Sequence, residues 1–175
     1  MTTQFSPRIE KLRSSAMERE LDAWIVVNLE SSDMYNLMYL TGFQCSRGVG
    51  IVTQERALFL TDSRYLAAAK EQITSMNVSS LGDDTLESLV HQLEDLGAEK
   101  VGFDKDRVTV GTLEKLEAKS SEITYIGLEN PIEESRKTKD YSEIDKIAGA
   151  AELTDAGYRY LLELITPGKT ERELA

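Results

Sequence analysis

The stretch GVGIVTQERALFLTDSRYLAAAKEQ, Gly48–Gln72, decides the fold. Two short apolar runs, GVGIVTQ and ALFLTD, flank Gln54-Glu55-Arg56, the pattern of a β-hairpin. Asp62 then stands directly before SRYLAAAKEQ, a run of good helix formers, and is placed to cap it. An antiparallel pair feeding straight into a capped helix signals a layered α/β domain with a mixed sheet.

Working outward, SPRIEKLRSSAMERELD reads as a helix with Ser6 as N-cap and Pro7 at the first helical position. Ile9, Leu12 and Ala16 share one face of it. AWIVVN, Ala23–Asn28, has strand length and no polar alternation, so burial on both faces is expected. In SSDMYNLMYLTGF, Ser31 or Ser32 is expected to cap a short helix that Gly42 ends. Beyond Gln72, MNVSSL, KVGFD and ITYIGL read as strands. Between them, DTLESLVHQLEDLG is amphipathic through Leu86, Leu89, Val90 and Leu93, and VTVGTLEKLEAK is a helix with Thr109 as cap. The expected order is α β α β β α β α β α β over residues 1–130, a mixed β-sheet of about five to six strands flanked by helices.

Residues 131–141 change texture. They are dense in charge and read as a linker or a short surface helix. Residues 142–175 begin with one long helical pattern whose stripe is Ile144, Ile147, Ala148, Ala151, Tyr158, Leu161, Leu162 and Ile165. Pro167-Gly168 then marks a turn, and Thr170-x-x-Glu173 has the form of a capping box. A new helix announced two residues before Ala175 leads us to expect that the 175 residues are a piece of a longer chain.

Composition excludes several classes. With 31 acidic against 20 basic residues and a net charge of −11, no basic patch for nucleic acid is expected. No apolar run is long enough for a membrane span. A single cysteine, Cys45, permits no intrachain disulfide and fits a cytoplasmic setting. Cys45 and the lone His91 make a poor catalytic pair, and together cannot form a zinc site. Gly82-Asp83-Asp84-Thr85 carries paired carboxylates suited to a cation, but it also reads as a turn and helix cap. Asp104-x-Asp106 after a strand resembles the nucleophile motif of haloacid-dehalogenase-type phosphatases, an alternative function for the chain.

MYLTGF (Met38–Phe43) and LFLTDSRY (Leu58–Tyr65) occur in order, with a hairpin between them. Further on come Arg136-x-x-Lys139, then Glu143-Ile144, a long helix and PGKTERELA. Together these resemble Xaa-Pro aminopeptidases, prolidases and creatinases at their N-terminal domain and its junction with the catalytic domain. The resemblance implies a ribonuclease H-like N-terminal domain and a parent metallopeptidase that cleaves the bond before proline. Creatinase-type hydrolysis is the family's alternative. It implies two divalent metal ions, Mn, Co or Zn, held by residues beyond this chain, so no catalytic or metal-binding residue is assigned here. It also implies a homodimer, contact with the chain's own catalytic domain, and a non-catalytic role in walling the cleft for a proline-containing peptide. Asp62, Arg64 and Tyr65 are the candidate wall or interface residues. A local reading stands beside that one: Asp62 caps, Arg64 pairs with a nearby acid, and Tyr65 packs in the domain.

Overall fold

The computed structural model describes residues 5–174, which divide into two compact units with the boundary between Arg136 and Lys137. The first unit holds α1 (Ser6–Glu18), β1 (Ala23–Asn28), α2 (Met34–Thr41), β2 (Gly48–Thr53), β3 (Ala57–Thr61) and α3 (Ser63–Gln72). It continues through β4 (Asn77–Ser80), α4 (Thr85–Asp95), β5 (Lys100–Asp104), α5 (Val110–Glu117) and β6 (Thr124–Leu128) to α6 (Pro131–Lys137). This is the element order expected from sequence, with the charged segment after residue 130 forming the short helix α6.

The six strands form one sheet in the order β4-β3-β2-β1-β5-β6. β1 pairs antiparallel with β2 and parallel with β5; β2 pairs antiparallel with β3; β3–β4 and β5–β6 are parallel. Only β2 therefore runs against the others, and the remaining five strands end at one common edge. Helical crossovers serve the parallel pairs, while the β2–β3 hairpin needs only the three-residue tip at Gln54-Glu55-Arg56. That tip is fastened to α1, since Arg13 Nε donates to the Thr53 carbonyl at 2.9 Å and Gln54 Nε2 to the Arg13 carbonyl at 3.1 Å.

Both faces of the sheet are covered. Trp24 and Val26 of β1 join Ile9, Leu12, Leu37, Leu40 and Phe59 on one face. Ala23, Ile25 and Val27, alternating with them, join Leu89, Leu93, Val101, Phe103 and Leu116 on the other. Every residue of β1 is buried, as its unbroken apolar run requires. Gly102 of β5 lies beneath Trp24: a Cβ there would sit 2.7 Å from the indole and 2.5 Å from a Leu21 methyl.

Helix ends follow local chemistry, with two corrections. Asp62, Asp84 and Thr109 accept hydrogen bonds from the first-turn amides of α3, α4 and α5. Gly42 closes α2 at φ 73°, a left-handed conformation suited to glycine. Ser6, however, lies inside α1, whose N-cap position is Phe5 without a side-chain cap. Neither Ser31 nor Ser32 caps α2. Asp33 occupies that position, and the Ser32 hydroxyl accepts from the Leu29 amide at 3.1 Å.

In the second unit, α7 (Tyr141–Leu164) starts with a full capping box made by Asp140 and Glu143. None of its residues is buried, and Ile144, Ile147, Tyr158, Leu162 and Ile165 expose apolar surface. After the turn at Gly168, α8 (Glu171–Leu174) begins with Glu173 accepting from both the amide and the hydroxyl of Thr170.

Gly102→Ala is expected to destabilise the first unit by about 1–3 kcal/mol, because the added methyl has no room against a rigid buried ring. Urea unfolding followed by the Trp24 emission measures it; an unchanged midpoint would show that the indole can yield.

Candidate functional site

The common edge at which β1, β3, β5 and β6 end gathers the polar side chains of the first unit. Asp62 follows β3 directly. Its Oδ1 accepts from the Arg64 amide at 3.0 Å and from Arg64 Nε at 3.1 Å, while its Oδ2 takes Arg64 Nη2 at 2.7 Å. The Arg64 guanidinium hydrogen bond, above all, holds the Asp62 carboxyl below the usual carboxylate range. The same guanidinium lies 5.2 Å from the centre of the Tyr65 ring. Tyr65 packs edge-on against Phe43 and shares a hydrogen bond of 3.1 Å between its hydroxyl and that of Ser46. The predicted trio thus forms one connected turn, with each polar group engaged inside the domain and Arg64 mostly exposed.

A second, buried cluster at this edge was not foreseen. The chain leaves β1 into α2 on the Trp24 face and leaves β5 into α5 on the opposite face. Such a divergence opens a crevice between neighbouring strand ends. Here the crevice holds Asn28, Asp33, Asn36, Asp104 and Asn130, all buried. Asn28 donates to the Cys45 carbonyl at 3.0 Å and accepts from the Asp33 amide at 3.0 Å. Asn36 Nδ2 donates to Asp33 Oδ1 at 2.8 Å, and Asn130 Nδ2 to Asp104 Oδ2 at 2.7 Å. Burial pushes the Asp33 carboxyl up to about 7. On the rim, Arg107 bonds Glu133 at 2.8 Å and holds its carboxyl low. Two asparagines that end or follow apolar strands, Asn28 and Asn130, were the available sequence signal.

The phosphatase alternative fails on this geometry. Asp104 is enclosed, with Oδ2 bonded by Asn130 and Oδ1 by the Asp106 amide at 2.9 Å, and Asp106 is exposed. A nucleophile needs an open line to its substrate. Asp84 of the Gly82–Thr85 turn caps α4 and pairs with Lys119 at 2.7 Å. His91 is exposed beside Asp95 at 3.7 Å, and Cys45 is buried and free. Among the described residues no three His, Cys, Asp or Glu side chains are placed to hold a metal ion. No helix among the described residues is long and apolar enough to cross a membrane.

The mixed six-stranded sheet flanked by helices fits the fold expected from the resemblance, and comparison with known proteins shows the family. The chain belongs to the creatinase/prolidase N-terminal domain family, whose model matches residues 8–138. It is 27% identical over 168 residues to the uncharacterized peptidase YqhT of Bacillus subtilis, covering 96% of this chain and 46% of that protein. Among solved structures it resembles an Xaa-Pro dipeptidase from Bacillus anthracis, at TM-score 0.87 and 27% identity, over 98% of this chain and 46% of the other. The N-terminal domain of the cytoplasmic peptidase PepQ from Mycobacterium tuberculosis matches at TM-score 0.66 and 27% identity, over 74% of this chain and 98% of that one. The chain thus spans less than half the length of the whole peptidases it resembles.

Asp62→Ala is expected to cost about 0.5–2 kcal/mol at neutral pH through loss of the cap. A lowered carboxylate contributes stability above its unfolded pKa and loses it as acid protonates the group. The gap between wild type and Asp62→Ala should therefore narrow as pH falls below about 4, without closing, because the protonated carboxyl keeps a capping oxygen. Asp62→Asn, which keeps a capping oxygen, should stay within about 0.5 kcal/mol of wild type, since the exposed ion pair contributes little. Thermal unfolding of the three proteins from pH 3 to 7 checks the pattern.

Proposed function

We propose that this chain is the non-catalytic N-terminal part of a cytoplasmic, metal-dependent Xaa-Pro peptidase, where it walls the substrate cleft and contributes to a homodimer. The observation that carries the reading is the alignment of 98% of the chain, α7 included, with the first part of an Xaa-Pro dipeptidase. The hydrolytic groups and their two metal ions then belong to a catalytic unit following residue 175. There the metals would polarise the scissile carbonyl and activate water. The apolar face of α7 is suited to packing inside that unit, because a stripe of this size is not stable left in water. The peptidase reading is preferred to creatinase-type hydrolysis because the similar proteins named above are called peptidases or dipeptidases.

Within this reading the Asp62–Arg64–Tyr65 turn is the candidate wall. Arg64 is the member with free reach: its guanidinium is exposed, held in place by Asp62, and able to receive a peptide carboxylate.

Hydrolysis of Xaa-Pro peptides with added Mn²⁺ or Co²⁺, measured on the 175-residue chain and on a longer chain running to the natural stop codon, tests the proposal. Cleavage by the longer chain alone is expected. Cleavage by the short chain would place the chemistry inside it, and inactivity of both would remove the peptidase reading. In the longer protein, Arg64→Ala should raise KM with little change in kcat if the turn binds substrate.

A further inference from the structure

The crevice between the ends of β1 and β5 is bonded by side chains of α6, the last helix of the first unit, and of the residue before it. Three side chains from this stretch reach it. Asn130 bonds Asp104 at 2.7 Å and accepts from the Ile132 amide at 2.9 Å. Glu133 Oε1 accepts from Asn36 Nδ2 at 3.4 Å, and Arg136 Nη1 donates to Asn36 Oδ1 at 2.7 Å. Asn36 is thereby a bridge, with α6 on one side and the Asp33 carboxylate, at 2.8 Å, on the other.

Asp33 and Asp104 are each only 4% exposed. Asp104 has two hydrogen-bond donors and Arg107 at 3.9 Å. The Asp33 carboxyl has the Asn36 amide and, among the described residues, no ion pair. The charged groups around it are Asp104 on β5, Arg107 in the turn after it, and Glu133 on α6, with Arg136 of α6 facing it across Asn36. Arg107 is already bonded to Glu133. An ionised Asp33 is therefore a desolvated charge whose burial and the nearby Asp104 outweigh the Asn36 amide and the Arg107 cation, a state that calls for water. Of the elements around it, α6 is the one able to yield. It has seven residues and a single buried side chain, Ile132, whereas β1, β5 and α2 carry the core.

We propose that Asp33 is a proton-operated latch on α6: with its carboxyl neutral the helix stays seated over the crevice, and with it ionised the helix lifts to let water in. This inference is independent of the peptidase reading. Burial, the first cause, with Asp104 and Glu133 adding to it, raises the carboxyl to about 7 while the helix is seated. A carboxyl with a raised value holds a proton in the seated state that the open state releases. Seating is firmest in acid. It weakens as pH climbs from the ordinary carboxylate range to about 7 and changes no further above that.

Two measurements on the 175-residue chain test the latch. Carboxyl ¹³C NMR gives the Asp33 midpoint, and amide hydrogen exchange of residues 132–137, corrected for the intrinsic rate, gives the opening of α6. The expected result is a midpoint near 7 and α6 protection that falls up to about tenfold per pH unit from pH 5 to 7, then levels. That protection should lie below the protection of β1 amides, which marks a local opening. In Asp33→Asn the α6 profile should be flat. A midpoint in the ordinary carboxylate range overturns the latch. So does α6 protection that ignores the Asp33 midpoint, equals that of β1, or falls alike in the variant. If Asp33→Asn does not fold, the wild-type comparison of midpoint with protection decides alone.

Discussion

Ala23–Asn28 is buried along its whole length and has to serve two hydrophobic layers at once. It sits between an antiparallel neighbour, β2, and a parallel one, β5, so both its hydrogen-bonding edges are used as well. A slip of one residue would exchange Trp24 and Val26 with Ile25 and Val27 between the two layers. The hairpin tip bound to α1, and Gly102 under the indole, both make sense as adjustments to that register. Asp22 adds a further pin, its Oδ2 accepting from the Glu99 and Lys100 amides at 3.0 and 2.7 Å just where β5 starts.

The direction of the strands then determines where polar groups collect. Five strands finish on one edge, and each must hand its chain to a loop or helix with backbone amides to satisfy. Asp62 does this half-buried, beside an exposed arginine that balances its charge. Asp33 and Asp104 stand at equivalent places around the β1–β5 boundary but beneath a helix, and depend on asparagine amides. Burial thus separates two residues at helix N-cap positions, Asp62 whose carboxyl is held low by Arg64 and Asp33 whose carboxyl is pushed up.

Local signals were legible in the sequence and distant ones were not. The strands, the helices and the caps at Asp62, Asp84 and Thr109 each depend on neighbours a few residues away. The single-file reading of the hairpin understated the reversal, because β2 is antiparallel on both sides. At α2 the cap expectation failed because Glu30 and Ser31 adopt φ of 51° and 68°, which carries the turn past both serines to Asp33. The buried cluster brings Asn28, Asp33 and Asn36 against Asp104, Asn130 and Arg136, and Asn36 meets its arginine 100 positions along the chain. No periodicity or spacing encodes such a meeting. The Asp62–Arg64–Tyr65 turn was legible because it is contiguous, and Ser46 and Phe43, which complete it, were not singled out.

Trp24 is the only tryptophan in the chain, and its indole nitrogen, buried in the central strand, has no hydrogen-bond partner among the described residues. The optical consequence is direct. Tryptophan emission from the whole chain originates at one point inside the first unit, in surroundings without a polar partner at the ring nitrogen, and should be shifted to the blue. Emission will therefore follow the opening of the sheet around β1, whereas far-ultraviolet dichroism, dominated by helices, follows helical content. The two signals together distinguish loss of the buried core from loss of helix without any label.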